Sequence, residues 1–357
     1  MISIRYYRIY DIGNEIDLDL LEKDLTQTFP TARTSFLRVK PKSIILENKP
    51  VLLKSEPVKI EKEGTTLEFS VLAKIYDIGA ISICFVYENP DGTYPEMEKT
   101  ARFITSNDLI GNLFTDYLKS MMEKLKFSIK NFSYDPEFFE DYTIYLSDTT
   151  KLEGDPASLL LGEDADFSSQ MHDEVMKNTQ SYTKDDIAVL SWDSAILCGQ
   201  DTQLSLDLID LIEFANVQVL ELRYYDRELT RQMSRMYDDI EHADRMPSFL
   251  RMRQYHSIMN QLMKSSAEIS EVTEKVHNLI KITEDVYYAR IYESALKVMR
   301  SGQWTGSVEK KIETIQDSYS MLSDEVRIQH SNFLEWIVII LIAIEVAIIG
   351  IQEIMML

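Results

Sequence analysis

VEKKIETIQDSYSMLSDEVRIQHSNFLEWIVIILIAIEVAIIGI, residues 308–351, changes character halfway along with no helix breaker before Gly350. In its first half Val308, Ile312, Ile315, Tyr319, Leu322, Val326, Gln329 and Phe333 alternate steps of four and three. Such steps average ~3.5 residues and keep one stripe facing a partner helix, which is the pattern of a coiled-coil seam. In its second half apolar residues occupy every face. Phe333 to Leu357 is 25 residues, about 37 Å of helix against about 30 Å of bilayer hydrocarbon. Between Trp336 and Ile351 stand eight Ile, two Val and one Leu. Each favours insertion by about 0.3–0.6 kcal/mol, against a cost of roughly 3 kcal/mol for the single ionisable residue, Glu345. The segment is expected to span a membrane.

Upstream, the period is seven from about Leu204 onward, and Gly and Pro nearly vanish. Leu222, Leu229, Met233, Met236 and Ile240 make one seam; Leu262, Ile269, Val272, Val276 and Leu279 make a second. Breaks at Met246–Pro247–Ser248 and at Ser301–Gly306 divide three long helices, which short connections pack antiparallel. The expected fold class is therefore an α+β N-terminal domain (1–203), a three-helix antiparallel coiled-coil stalk (204–332) and a C-terminal transmembrane helix (333–357). In the first of these, strands are expected at Ile2–Tyr10, Ser43–Glu47, Leu67–Tyr76, Ala80–Tyr87, Tyr142–Leu146 and Ile187–Leu197. Helices are expected at Asp17–Thr26 and over much of Glu98–Ile129, and Ser147–Thr183 reads as a loop with one short helix.

The net charge of -22 opposes nucleic acid as a whole-body partner, and no direct DNA binding is expected. Two distant cysteines, Cys84 and Cys198, follow no metal or redox spacing and read as reduced thiols. The N-terminus MISIRYYRIYDIG has neither a secretory apolar core nor a presequence pattern, so the chain is expected to start at Met1. Lys310, Lys311, Arg327 and His330 precede the apolar segment and no Lys or Arg follows it. By the positive-inside rule the bulk of the chain stays cytoplasmic, with the anchor in the cell inner membrane; without a presequence, the mitochondrial inner membrane is disfavoured.

Glu335, Trp336 and Glu345 are the residues expected to matter in the anchor. A carboxyl inside a bilayer faces a bundle interior or water, and one span per chain favours Glu345 as a contact between copies over an ion or proton path. A homo-oligomer is thus expected, an oligomeric channel being the weaker reading. Arg223, Arg227, Arg231 and Arg235 form a ladder on the first stalk helix. They either grip phosphate groups or lace the helix to acids on a neighbour, and coiled-coil precedent favours the second. Asp226 is expected to pair with Arg223, and Glu228 with Arg231.

The hexapeptide Arg8–Gly13, RIYDIG, recurs as Lys74–Gly79, KIYDIG. It is either a duplicated ligand loop or a pair of Asp-x-Gly turns, and turn chemistry favours the turns. No phosphate loop, His-Glu-x-x-His, Cys-x-x-Cys or Gly-x-Ser-x-Gly is present, so no cofactor, metal site or catalytic set is expected. Were the N-terminal domain an enzyme or a ligand-sensing effector signalling through the stalk, Asp11, Asp77, Asp141 and Asp193 would be its candidates.

The words Leu334–Ile342 with Glu345–Val346, preceded by a heptad helix and Ser331–Asn332, resemble the C-terminal signature of the required-for-meiotic-nuclear-division family. Ile75–Ala80 resembles that family's Phe-Asp-Tyr-Gly strand schematically. Thr283–Tyr288 departs from its Pro-Asp-aromatic-aromatic-Trp element. The resemblance implies an inner-membrane protein of otherwise unknown function whose large domain faces the gene-expression compartment. It also implies a tethering link to translation, with the ribosome or another protein as partner.

Overall fold

The computed structural model describes the chain except residues 14, 26–30, 34–43, 47, 127–128, 131, 153, 278–279, 283–285 and 357. In chain order the elements are β1 (Ile2–Asp11), β2 (Glu15–Ile16), α1 (Leu18–Leu25), β3 (Thr31–Arg33), β4 (Ile44–Leu46), β5 (Val51–Lys62), β6 (Thr65–Ile75) and β7 (Ala80–Asn89). Then come α2 (Tyr94–Ser106), α3 (Gly111–Leu125), β8 (Ile129–Lys130), β9 (Phe139–Ser147), α4 (Pro156–Leu161), α5 (Ser169–Met176), β10 (Thr179–Gln180), β11 (Asp186–Leu190) and β12 (Ser194–Gly199). The rest is α6 (Thr202–Asp244), α7 (Ser248–His277), β13 (Ile280–Ile282), α8 (Val286–Val298) and α9 (Ser301–Met356). They fall into two compact units, Met1–Tyr224 with Val272–Thr305, and Tyr225–Glu271 with Gly306–Leu357.

The first unit is built on a mixed sheet in the order β10-β11-β12-β9-β1-β7-β6-β5-β3. Its neighbours are antiparallel except for the parallel pair β12 and β9. Side chains alternate across a strand, and here both faces are apolar. On β1, Ile2, Ile4 and Tyr6 enter one core while Tyr7 and Ile9 enter the other. The first core is closed by Met97 and Ala101 of α2 and by Phe114 and Leu118 of α3. The second is closed by α6, through Leu208, Ile212 and Val219, and by Tyr288 and Ile291 of α8. A sheet covered on both faces reads as near-continuous apolar runs, which is why its strands are legible in the sequence.

Strand β5 escapes the sequence reading because Pro57 and five charged residues interrupt it. Beyond Val51–Leu53, which pair with β3, it runs along the sheet edge, and its register slips between Ser55 and Val58 around Pro57. Edges and bulges are where a sheet tolerates proline and charge. The single helix expected over Glu98–Ile129 is two helices, interrupted where Asp108 takes a left-handed φ of 46°, a conformation Asp tolerates. The expected strand Ile187–Leu197 is a hairpin of β11 and β12, and the 147–183 loop holds two short helices rather than one.

The larger correction concerns residues 204–224. They do not enter a stalk: from Leu211 to Leu222 α6 is buried on every side within the first unit. Apolar residues lie on several faces of this stretch, with Glu213, Asn216, Gln218 and Glu221 buried among them, and a seam search sees only one apolar stripe. The second expected stalk helix is likewise cut short, since α8 packs on the sheet. Ser301–Gly306 is not a break but the first turns of α9; the chain turns at Arg300, φ 59°. Glycine's helix cost of ~1 kcal/mol per residue is a weak signal once Trp304 packs on the second core.

The second unit is helical. Leu229 and Met236 of α6, Tyr255, Ile258 and Leu262 of α7, and Val308, Ile315 and Leu322 of α9 are buried. The last three lie seven apart, so the stripe read in the sequence is the packed face. The side chains of Val272, Val276 and Leu279 lie outside the described residues. Lys311 Nζ clamps α9 to α6 through Asp226 Oδ1 (2.6 Å) and Thr230 Oγ1 (2.7 Å). Over Ser301–Glu345, α9 is long and apolar enough to cross a membrane by length and composition.

Ile315→Ala should cost about 2–5 kcal/mol, as a cavity in a packed stripe does. Ile328→Ala, at a half-exposed position, should change stability by less than about 0.5 kcal/mol. Urea unfolding followed by circular dichroism checks the pair.

Candidate functional site

On the face of the sheet under α6, a cavity of about 470 Å³ opens within the first unit. Its floor is set by register: Tyr7 lies opposite Cys84 and Cys84 opposite Leu72, while Ser82 lies opposite Lys74. Arg5 of β1 and Lys54 of β5 flank that row, and Asp207, Asp210 and Glu213 of α6 face it. Lys74 Nζ donates to Asp210 Oδ1 and to Glu213 Oε2, both at 2.7 Å. Tyr76 Oη donates to Glu213 Oε1 at 3.2 Å. Burial alone would lower the Lys74 pKa, but the two carboxylates outweigh it and hold the ammonium above the ordinary lysine range. Burial pushes the Cys84 thiol up to about 12, so it is a protonated wall group and not a nucleophile.

The cavity's other charges are divided unequally. Asp207 accepts from Tyr288 Oη at 2.9 Å and from Gln203 Nε2 at 2.9 Å. Arg33, at the rim, is held by Asp19 (2.7 Å) and Glu22 (2.8 Å). Arg5, by contrast, has Glu88 at 3.8 Å, beyond hydrogen-bond distance. Among the described residues, Arg5 Nε and Ser82 Oγ are buried without a hydrogen-bond partner, while the Arg5 guanidinium also meets the Tyr7 hydroxyl.

Nearby, the echoed hexapeptides meet. Asp11 is opposite Ala80 in the ladder, and Ile12 N donates to Gly79 O at 2.8 Å, so the two turns lie side by side. Asp11 Oδ1 accepts from Gly13 N (3.0 Å), and Asp77 Oδ2 accepts from Asn48 Nδ2 (2.6 Å). Gly79 has φ 106°, a conformation that favours glycine. These are turns, and they bring both aspartates towards Glu221 of α6. Glu221 is fully buried, and among the described residues neither of its carboxyl oxygens has a hydrogen-bond partner. Burial first, and then the Asp11 and Asp77 charges, hold its carboxyl well above the usual range. Among the described residues no three His, Cys, Asp or Glu side chains are placed to hold a metal ion.

The remaining sequence candidates are scattered. Asp141 is tied to Arg8 by two bonds, 2.6 Å and 3.0 Å. Asp193 sits in the β11–β12 turn, where burial raises its pKa. The arginine ladder is split between the units. Arg223 pairs with Glu140 of β9, not with Asp226, and its guanidinium stacks on Phe138 and Trp304. Asp226 belongs instead to Lys311 and Ser307. Arg227 is half-buried, Arg231 lies 3.9 Å from Glu228, and Arg235 is exposed. Glu335, Trp336 and Glu345 are exposed on α9, far along the chain from the cavity. Sequence reasoning missed Arg5, Glu213 and Glu221. The signal available for them was a charge inside an otherwise apolar strand or helix.

A family model described as "Uncharacterized protein MJ0711, N-terminal domain" matches residues 1–204, and the chain belongs to that family. Uncharacterized protein MJ0711 of Methanocaldococcus jannaschii is 25% identical over 219 residues, which is 59% of this chain and 66% of that relative. No solved structure matches the chain. The matched residues hold the sheet and cavity floor; the C-terminal words Leu334–Ile342 and Glu345–Val346, which carry most of the meiotic-division resemblance, lie outside them.

Two outcomes follow for the buried charges. Lys74→Met leaves the buried Glu213 and the half-buried Asp210 without their cation and should cost about 3–5 kcal/mol in chemical unfolding. For Glu221, the unfolded carboxyl ionises near 4.5 while the folded one keeps its proton to higher pH. The folded state thus binds the extra proton, and this contribution to stability is complete below about 4.5 and declines as pH rises. Glu221→Gln should therefore raise the melting temperature at pH 7 and flatten its fall between pH 5 and 8.

Proposed function

We propose that this family member is a membrane-anchored scaffold or tether. In this reading α9 fixes the chain in the cell inner membrane by its C-terminal end, and the α/β unit is presented on the cytoplasmic side. The observation that carries it is the uncovered apolar surface of α9: Val338, Leu341 and Ile344 are 53%, 60% and 51% exposed, and Trp336 is 64% exposed. A surface this apolar is costly in water and is what hydrocarbon accepts. In this reading the helical unit is an antiparallel coiled coil. Glu345 is a polar contact between copies of the anchor, which makes the protein a homo-oligomer. The likeness of Leu334–Ile342 to the meiotic-division family adds the translation machinery as the partner to test first.

A second reading, a ligand-sensing effector, is favoured by α6. That one helix supplies Asp207, Asp210 and Glu213 to the cavity and also Leu229 and Met236 to the helical unit.

Deleting residues 333–357 tests the anchor. The full chain should stay in the carbonate-washed membrane pellet and the truncated chain should move to the supernatant. A truncated chain that still resists carbonate would sink the reading.

A further inference from the structure

We propose that the cavity between the sheet and α6 binds a small organic oxyanion, a carboxylate or phosphate ester of metabolite size, with Arg5 as its anchor and Lys54 at its rim. The inference rests on the ligand-sensing reading and names the ligand's chemistry.

Size comes first. About 470 Å³ lies within the roughly 300–1,000 Å³ typical of small-molecule sites. Charge decides the class. Each of the three carboxylates in the helical wall is already matched within the protein: Asp210 and Glu213 by Lys74, Asp207 by Tyr288 and Gln203. Arg33 is matched by Asp19 and Glu22. Among the described residues, the largely buried cation of this wall left without a carboxylate at hydrogen-bond distance is Arg5. Arg5 is only 12% exposed, and its nearest acid, Glu88, is more than half exposed and 3.8 Å away. Charge-assisted bonds run at about 2.7–2.9 Å, and an exposed pair at longer range contributes little.

A guanidinium inserted into a sheet loses hydration that such a pair does not restore. Its planar fork matches the two oxygens of a carboxylate or phosphate group. The position is specific too. Arg5 lies on β1, between β7 and β9 near the middle of the sheet, where an aliphatic residue would pack without penalty. Ser82 Oγ, on β7, is a second buried polar atom in the same wall without a hydrogen-bond partner among the described residues. Leaving such atoms unmatched is costly, because each has given up its hydration without regaining a hydrogen bond. Lys54 is exposed at the cavity edge and adds a second positive charge without needing to be buried.

Equilibrium dialysis of the detergent-purified full chain against radiolabelled orthophosphate, citrate and D-ribose tests this. Saturable binding of one anion at a single site is expected, weakened about tenfold in Arg5→Gln and about threefold in Lys54→Gln. Lys62→Gln, an exposed lysine outside the cavity, should bind as the unsubstituted chain does. If Arg5→Gln fails to fold, Lys54→Gln decides, because its side chain is exposed. Saturable binding of ribose with neither anion bound would overturn the oxyanion assignment while leaving the sensing reading standing. No saturable binding of any probe would overturn both, as anion binding indifferent to both cavity substitutions would overturn the site.

Discussion

A lysine ammonium inside the molecule is the point on which the α/β unit turns. Lys74 projects from β6 into the layer between sheet and helix and meets Asp210 and Glu213 of α6 at 2.7 Å each. Three charges in a poorly solvated layer are unfavourable apart and tolerable only together, so the helix has one acceptable register against the sheet. Tyr76, two residues on, adds its hydroxyl to Glu213 and its ring to Phe214 at 5.4 Å. With α6 fixed, Leu208, Ile212 and Val219 meet the odd-numbered face of β1, and the second core closes. Apolar packing provides most of the attraction; the ion cluster provides the specificity, because sliding the helix by one turn would strand a charge.

The same constraint makes the cavity. Where α6 carries Asp207, Asp210 and Glu213 it cannot press flat on the strands, and the polar residues opposite, Arg5, Ser82 and Lys74, cannot fill the gap as aliphatics would. A polar pocket under a helix held by charge is therefore one structural decision rather than two. Glu221, further along the same helix, belongs to this pattern without a partner of its own, and the two Asp-x-Gly turns beside it add negative potential. Membership of the MJ0711 N-terminal domain family covers the strands that form this floor and only the first turn of α6.

Much of the architecture is legible in one dimension, and the reasons are local. β1, β6, β7 and β9 announce themselves because a sheet covered on both faces needs apolar residues on both. The packed stripe of α9 is legible because Val308, Ile315 and Leu322 repeat at seven. Pro57 hid β5, since an edge strand can carry what a central strand cannot. The candidate site was nearly invisible. Asp11 and Asp77 could be singled out by their repeated hexapeptide, but nothing local to them points to Glu221, about 140 residues away in sequence from the nearer one.

By itself the sequence determined the class of each half: alternating and doubly apolar strands at the front, a seven-residue stripe at the back, and a terminal helix apolar on all sides. Those are periodicities, and periodicity follows from backbone geometry that each segment carries with it. Tertiary structure alone decided which half owned residues 204–224, which acid held Arg223, and which charges surrounded Lys74. Those outcomes depend on desolvation and pairing between residues distant in the chain. The cost of a buried charge is set by its neighbours in space, and the order of residues does not contain them.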